Sequence, residues 1–344
     1  MMIFRFRTPG ILLASVAAMA TLSSGAALAE QQGIELPAGI ASNPRIEQAI
    51  ARGDFRAKIM PRHGYTGPLV FGAGKLPALA GPRAVKPGIA TPGAHDFYPA
   101  DVVDTEGYVL TSASHVNVYW GEADSSTWGY PDTYEAYLNT SPMIHTLDQY
   151  AGSTANGRYP VADVYWHGGG PGSYVSQAGV AAEAAYVATN VVNSYGQPGG
   201  FGNIVHVFLP PGTDTCFDNG SGCYNPDGRS GLAAFTFCAY HSYTYDGNGN
   251  IVFYTVEPYQ DVGGCDAGYG LSNDTANVLG HEISETISDA APGYGYIGEN
   301  VLNKGQEIAD ECAWVMFSHT LAKNVTYVTQ DWYSDHYHAC ASVK

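Results

Sequence analysis

The chain has 344 residues, 45% hydrophobic and 12% aromatic, which is enough apolar material for a sizeable core and excludes general disorder. Its formal charge of -17 argues against nucleic acid or an anionic membrane surface as partner, because like charges repel. The charge is uneven: residues 1–105 carry 10 Lys/Arg and 7 Asp/Glu, whereas residues 106–344 carry 5 and 25.

Residues 1–29 read as an export signal. Arg5 and Arg7 form a positive start, Ile11 to Leu22 an apolar run, and Ala27-Leu28-Ala29 a small-x-small cleavage site before Glu30. No later stretch approaches the ~18 consecutive apolar residues of a membrane span. The expectation is a secreted protein, in the extracellular space, cell envelope or periplasm, with its six cysteines oxidised. Six cysteines allow fifteen pairings. Proximity favours Cys216–Cys223, and the preferred pairs among the rest are Cys238–Cys265 and Cys312–Cys340.

Residues 30–105 are rich in Pro, Gly and Ala and hold many of the basic residues. Pro61, Pro68, Pro77, Pro82, Pro87 and Pro92 recur too often for regular helices or central strands. A short helix over 44–56, capped by Asn43, is the one regular element expected there. The segment reads as a linker or extended arm, or as a basic propeptide masking an acidic mature enzyme.

Regular elements are expected from residue 107 onward. Val116–Trp120 and Val161–Trp166 read as strands, and Ile204–Leu209, nearly all apolar, as a central one. Residues 131–150 form a helical stretch with a break at Pro142, and Val175–Val192 a helix with a buried face. Ala233–Tyr240 and Ile251–Val256 flank the turn-rich run Asp246–Asn250 as a hairpin, and a last strand falls near Val325–Gln330. The fold class is α/β (α+β): one domain over 106–344 with a mixed sheet packed by helices.

Ser272–Ile287 makes an amphipathic helix capped by Ser272 or Asn273, with Ala276, Leu279, Ile283 and Ile287 as its apolar face. Off that face lies H-E-x-x-E, in which His281 and Glu285 at i and i+4 point the same way with Glu282 between them. H-E-x-x-H helices hold zinc in this geometry and use the intervening Glu as base. The alternative is a solvated helix face with three ordinary polar residues. Downstream, Glu307 lies 22 residues after Glu285, where a third ligand can come from a later segment. Asp310, one turn on, can accept a hydrogen bond from the far imidazole nitrogen of His281. Zinc is the expected ion. Two carboxylates and one imidazole also leave room for a harder divalent metal such as manganese.

Five stretches together resemble the plant Exordium (phosphate-induced protein) family and its bacterial secreted relatives. They are Asn117–Gly121, Phe237–Ser242, Gly280–Asp289, Glu307–Cys312, and Gln330–Ser334 with Cys340, in the family's order across about residues 110–342. The resemblance implies an extracellular or cell-wall location and a zincin-like core, makes His241 a position worth testing, and implies no settled reaction. Relatives often place Pro directly after the helix's last Asp or Asn; here Asp289 is followed by Ala290-Ala291-Pro292.

Other motifs are weaker. His167-Gly168-Gly169-Gly170 is similar to an esterase oxyanion loop, but no G-x-S-x-G elbow accompanies it. Asp218-Asn219 and Asp246–Asn250 lack the bidentate Glu of a calcium loop. His336 and His338 read as a polar strand edge or tail. The reading is a metallohydrolase, most simply a peptidase, acting on extracellular protein or peptide. Its rival is a non-catalytic protein that binds carbohydrate or another cell-wall component, keeps a structural metal and uses the tyrosines within 240–259 as an aromatic surface.

Overall fold

The structure is a computed structural model that describes residues 56–63, 70–72, 100–105, 107–121, 124–192, 202–217, 222–224, 236–246, 250–300 and 303–342. Strands and helices are numbered in chain order. The main sheet has seven strands: β1 (Arg56–Pro61), β2 (Val70–Gly72), β4 (Ser114–Trp120), β5 (Val161–His167), β7 (Asn203–Phe208), β9 (Phe237–Tyr245) and β10 (Ile251–Glu257). Their spatial order is β2-β1-β9-β10-β7-β4-β5. Pairing is antiparallel from β2 to β10 and parallel from β10 to β5, so the sheet is mixed. Two-stranded pieces surround it: β3 (Val102–Asp104) with β11 (Tyr296–Gly298), β6 (Tyr174–Ser176) with β8 (Asp214–Cys216), β12 (Met316–Ala322) with β13 (Val325–Gln330), and β14 (Trp332–Ser334) with β15 (Ala339–Ala341).

Alternation along the strands divides the core into two layers. Val205 and Val207 of β7, with Val252 and Val256 of β10, face α3 (Gln177–Val187) through Val180, Ala184 and Val187. Ile204, Phe208 and Phe253 face the other way, toward α1 (Pro131–Leu138), the single turn α2 (Asp148–Ala151) and α4 (Leu271–Ser288). On that side α4 packs on β9 and β10 and is covered by β13. Every residue of α4 from Asp274 to Ser288 is consequently buried, its polar stripe included. Close approach is built in at Gly280, where a Cβ would fall 2.4 Å from the Tyr134 hydroxyl.

Several expected boundaries shift. The helix expected from Ser272 begins at Leu271 after Gly270, and neither proposed cap acts as one. Ser272 Oγ donates to Gly129 O, and Asn273 Oδ1 accepts from Val328 N, so both polar side chains tie α4 to its neighbours. The strand expected at Ala233–Tyr240 runs from Phe237 to Tyr245, since its alternation continues past His241. The helix expected over Val175–Val192 starts at Gln177 with Ser176 as cap and ends in a π turn over Ala188–Val192. Residues 131–151 break at Pro142 as expected. The Asp246 carboxylate accepts from Asn250 N, which fits the turn reading. All three preferred disulfides are present, and no cysteine is free.

The expected signal (1–29) and residues 44–55 of the expected short helix lie outside the described residues. Arg56, its last position, is instead the first residue of β1. The described parts of the 30–105 segment are not a detached linker: β1 and β2 extend the main sheet beyond β9, so the sheet begins before residue 106. No helix among the described residues is long and apolar enough to cross a membrane.

Candidate metal centre

Adjacent strands in register point their side chains to the same face, and one register line crosses five strands with polar residues throughout. Lys58 pairs with His241, His241 with Thr255, Thr255 with His206, and His206 with Asn117. All five are buried on the α4 side. The H-E-x-x-E stripe of α4 lies against one end of this row.

There the structure brings together His241, His281, Glu282, Glu285, Glu307 and Asp310, none more than 6% exposed. His281 Nε2 lies 3.0 Å from Glu285 Oε1 and 3.7 Å from Asp310 Oδ1. His241 Nδ1 lies 3.3 Å from Glu282 Oε2 and 3.5 Å from Glu285 Oε2, and its Nε2 lies 3.9 Å from Glu307 Oε1. Two three-donor groups result, His281–Glu285–Asp310 and His241–Glu285–Glu307, each with its donor atoms within 4.8 Å of one another. Glu285 belongs to both.

The arrangement differs from the sequence expectation in three ways. Asp310 approaches the same nitrogen of His281 that faces Glu285, not the far one, so it stands among the potential ligands. The far nitrogen, Nδ1, faces Gln330 Oε1 at 3.4 Å, and Gln330 is held by its own Nε2 donating to Ala309 O. His241 is not at a strand end but in the middle of β9, and it shares the cluster through Glu282, Glu285 and Glu307. Glu307 groups with His241 rather than with His281. The short turn Asp310–Cys312 is fixed by the Cys312–Cys340 disulfide and by Asp310 N donating to Glu285 Oε1.

Five donor atoms here make no well-formed hydrogen bond, namely His281 Nε2, Glu285 Oε2, both oxygens of Glu307 and Asp310 Oδ1, although His281 Nε2 and Glu307 Oε2 have ion-pair partners in Glu285 Oε1 and Lys58 Nζ. Buried polar atoms are normally satisfied, so convergent unsatisfied N and O atoms fit a divalent cation. Left to themselves the groups set one another's charge. Burial alone would lower both imidazoles, but Glu282 and Glu285 raise His241, and chiefly Glu285 raises His281, each to about 9. Burial would raise Glu285, yet His281, Lys58 and His241 hold it well below the usual carboxylate range. Burial dominates at Glu307 and lifts it well above. So many carboxylates cannot all ionise in one closed volume without more positive charge.

One cation comes from the chain itself. Lys58 Nζ lies 2.5 Å from Asp310 Oδ2 and 3.2 Å from Glu307 Oε2, fully buried. Burial would lower its pKa, but Asp310, Glu307 and Glu285 outweigh that and keep it charged. Met60 N donates to Glu282 Oε1 at 3.2 Å, so β1 also ties up the proposed base. Sequence reading missed Lys58, because a basic residue in a Pro-rich stretch gives no sign that it points into a core.

Farther along the row, His115 Nδ1 and His206 Nε2 are 2.8 Å apart, and His206 Nδ1 lies 2.8 Å from Thr255 Oγ1. Glu135 is beside them and accepts from Asn117 Nδ2 at 2.6 Å. Burial lowers His115 to about 3 and takes His206 well below its usual value, so both rings are neutral. His115, Glu135 and His206 form a third three-donor group with donor atoms within 4.8 Å of one another; its two histidines bond each other and Thr255, while Glu135 Oε1 makes no hydrogen bond. The sequence reading of 204–209 as an apolar strand passed over His206.

The tyrosines expected to form an exposed surface do not: Tyr240, Tyr243 and Tyr254 are buried. Among the described residues the exposed aromatics are Trp166 on edge strand β5, Tyr174 and Tyr186 nearby in the chain, and Tyr130 and Tyr269 elsewhere. His338 bonds Asp101 at 2.7 Å, and His336 lines a surface cavity of about 400 Å³ together with His145, Asp148 and Tyr337, away from the cluster. No protein-family model, curated protein or solved structure matches this chain.

Proposed function

We propose that the protein is a secreted metallohydrolase of zincin-like type, most simply a peptidase acting on extracellular protein. His281 and Glu285 would hold a divalent cation, zinc first, with Asp310, Glu307 and His241 as the remaining candidate donors. The observation that carries this reading is the convergence of buried imidazole and carboxylate donors around the H-E-x-x-E stripe, in the groups His281–Glu285–Asp310 and His241–Glu285–Glu307. The signal-like N-terminus and three disulfides support export. The resemblance to the Exordium family supports the same location and core.

When bound, such an ion supplies Lewis acidity and makes water a nucleophile near neutral pH. The rest falls to the chain. Glu282 is the proton acceptor: burial raises its carboxyl, which brings it closer to the range where it can take and return a proton. His241, 3.3 Å from Glu282 Oε2, orients that carboxylate and balances its charge. Gln330 and Ala309 fix the ring of His281 so that Nε2 faces the donors. Cover of α4 by β13 keeps bulk water from that side of the cluster.

The test is metal analysis with two variants. Purified protein should retain about one equivalent of zinc or another divalent ion. His281→Ala should lose it, and Glu282→Gln should keep it while abolishing cleavage of a mixed peptide pool. Protein that holds no metal overturns the proposal. The rival reading, a surface-binding protein with a structural metal, is favoured by exposed Trp166, Tyr174 and Tyr186. Retained metal with no cleavage, and binding to cell-wall polysaccharide lost on Trp166→Ala, would decide for it.

A further inference from the structure

Lys58 is an anomaly of placement. Lysine is almost never fully buried, and a buried lysine–carboxylate contact is a poor source of stability, since apolar replacements of such pairs often do as well or better. Yet β1 carries this ammonium into the most acidic point of the molecule. Its register with β9, Ala57 to Ser242, Lys58 to His241 and Ile59 to Tyr240, leaves Lys58 no direction but the centre. The ammonium takes Oδ2 of Asp310 and Oε2 of Glu307, two residues whose other oxygens face His281 and His241. Two residues on, Met60 N holds Glu282 Oε1. One short strand thus engages two candidate ligands and the candidate base at once.

We propose that β1 is an internal, exchangeable occupant of the metal centre: its Lys58 ammonium stands in for the divalent cation and its strand closes the β9 edge, so the protein as folded here is latent. This rests on the metallohydrolase reading and names the regulation of that site.

Three further observations fit an exchangeable occupant. The β1–β2 pair is the end of the sheet, so its departure leaves the other five strands paired as they are. A lone two-stranded hairpin has little stability of its own. Ten of the chain's fifteen Lys and Arg residues precede residue 106, so the occupant belongs to the basic part of the chain and the centre to the acidic part. Cation and ammonium oppose each other by charge, since both are drawn to the same two carboxyl groups and repel one another. With β1 in place, the apparent metal affinity falls by the fraction of molecules in the open state. Departure of β1 would free Glu282 and expose an unpaired strand edge on β9, a surface that accepts an extended polypeptide.

The experiment is a zinc titration by calorimetry on full-length protein stripped with chelator, comparing wild type, Lys58→Met, and Lys58→Met with Glu285→Gln. Circular dichroism melts establish that each is folded. The expected result is zinc binding at least about tenfold tighter in Lys58→Met than in wild type, lost on adding Glu285→Gln. Equal or weaker affinity in Lys58→Met, with binding still abolished by Glu285→Gln, overturns the latch and leaves the metal centre standing. No binding in any of the three overturns both. Should Lys58→Met fail to fold, wild type nicked briefly with trypsin, for which Lys75, Arg83 and Lys86 lie between β2 and the rest, serves instead. Zinc should then release the N-terminal fragment on size exclusion while chelator retains it. Retention in both conditions overturns the proposal.

Discussion

The Nδ1 atom of His281 faces Gln330 Oε1 at 3.4 Å, and this contact decides which nitrogen is offered to the carboxylates. Gln330 is fixed on two sides, through its Nε2 to Ala309 O and through its backbone N to Asn277 Oδ1. Strand β13 therefore orients a helix residue 49 positions away in sequence.

The first prediction follows from that contact. Gln330→Leu keeps the volume and removes the acceptor, so the His281 ring loses its orienting bond. Zinc affinity should fall by roughly 10–100-fold with the fold retained. Calorimetric titration checks this, with an apolar substitution at exposed Val164 as the control.

Asp289, the residue that ends α4, governs stability more than chemistry. Its carboxylate accepts from Gly293, Tyr294 and Gly295 N–H at 2.5, 3.0 and 2.6 Å, all buried. The Ala290-Ala291-Pro292 run thus leads into a loop folded around Asp289. Asp289→Ala leaves those donors unsatisfied and should cost about 2–4 kcal/mol in urea unfolding. A loss under about 0.5 kcal/mol would show that the loop re-forms without it.

The Cys312–Cys340 disulfide joins the turn carrying Asp310 to β15 across 28 residues. Replacing both cysteines by serine should cost about 3 kcal/mol of stability, chiefly by freeing the unfolded chain. Because Asp310 sits two residues from Cys312, metal affinity should fall along with it. Replacing Cys216 and Cys223, which close a seven-residue separation away from the cluster, should lower stability and leave metal affinity unchanged.

Asp335 gives a pH prediction whose sign can be worked out. Burial, reinforced by Asp101, raises its carboxyl to about 7 in the folded protein. The unfolded value is near ~3.9. The folded state therefore binds the extra proton between those values, and stability falls as pH rises from about 4 through about 7. Asp335→Asn should flatten that fall. The difference in unfolding free energy, variant minus wild type, should grow over this range and level off above it, reaching about 1–2 kcal/mol in urea unfolding because solvent still reaches the side chain. Asp331, also raised to about 7 by burial, keeps part of the slope in the variant.

Local rules made much of the architecture readable. Apolar alternation marked the strands at 116–120, 161–166 and 251–256, and the Pro142 break in the helical stretch, because each depends on neighbours within a turn or a pleat. The H-E-x-x-E stripe was readable for the same reason: i and i+4 share a face in any α-helix. The three disulfide pairs were legible because each joins cysteines close in sequence order.

Sequence alone did not place Lys58, Gln330 or His206, and it assigned Asp310 to the wrong nitrogen. Those residues act through contacts between segments far apart in the chain, as with Lys58 and Asp310, separated by 252 positions. Periodicity says which way a side chain points from its own element and nothing about what a distant strand brings to meet it. The sequence by itself determined that α4 carries an acid–imidazole stripe. The tertiary structure decided that this stripe is sealed from water on all sides, because β9, β10 and β13 pack around α4 and β1 closes the remaining edge with a cation from the chain's own N-terminal part.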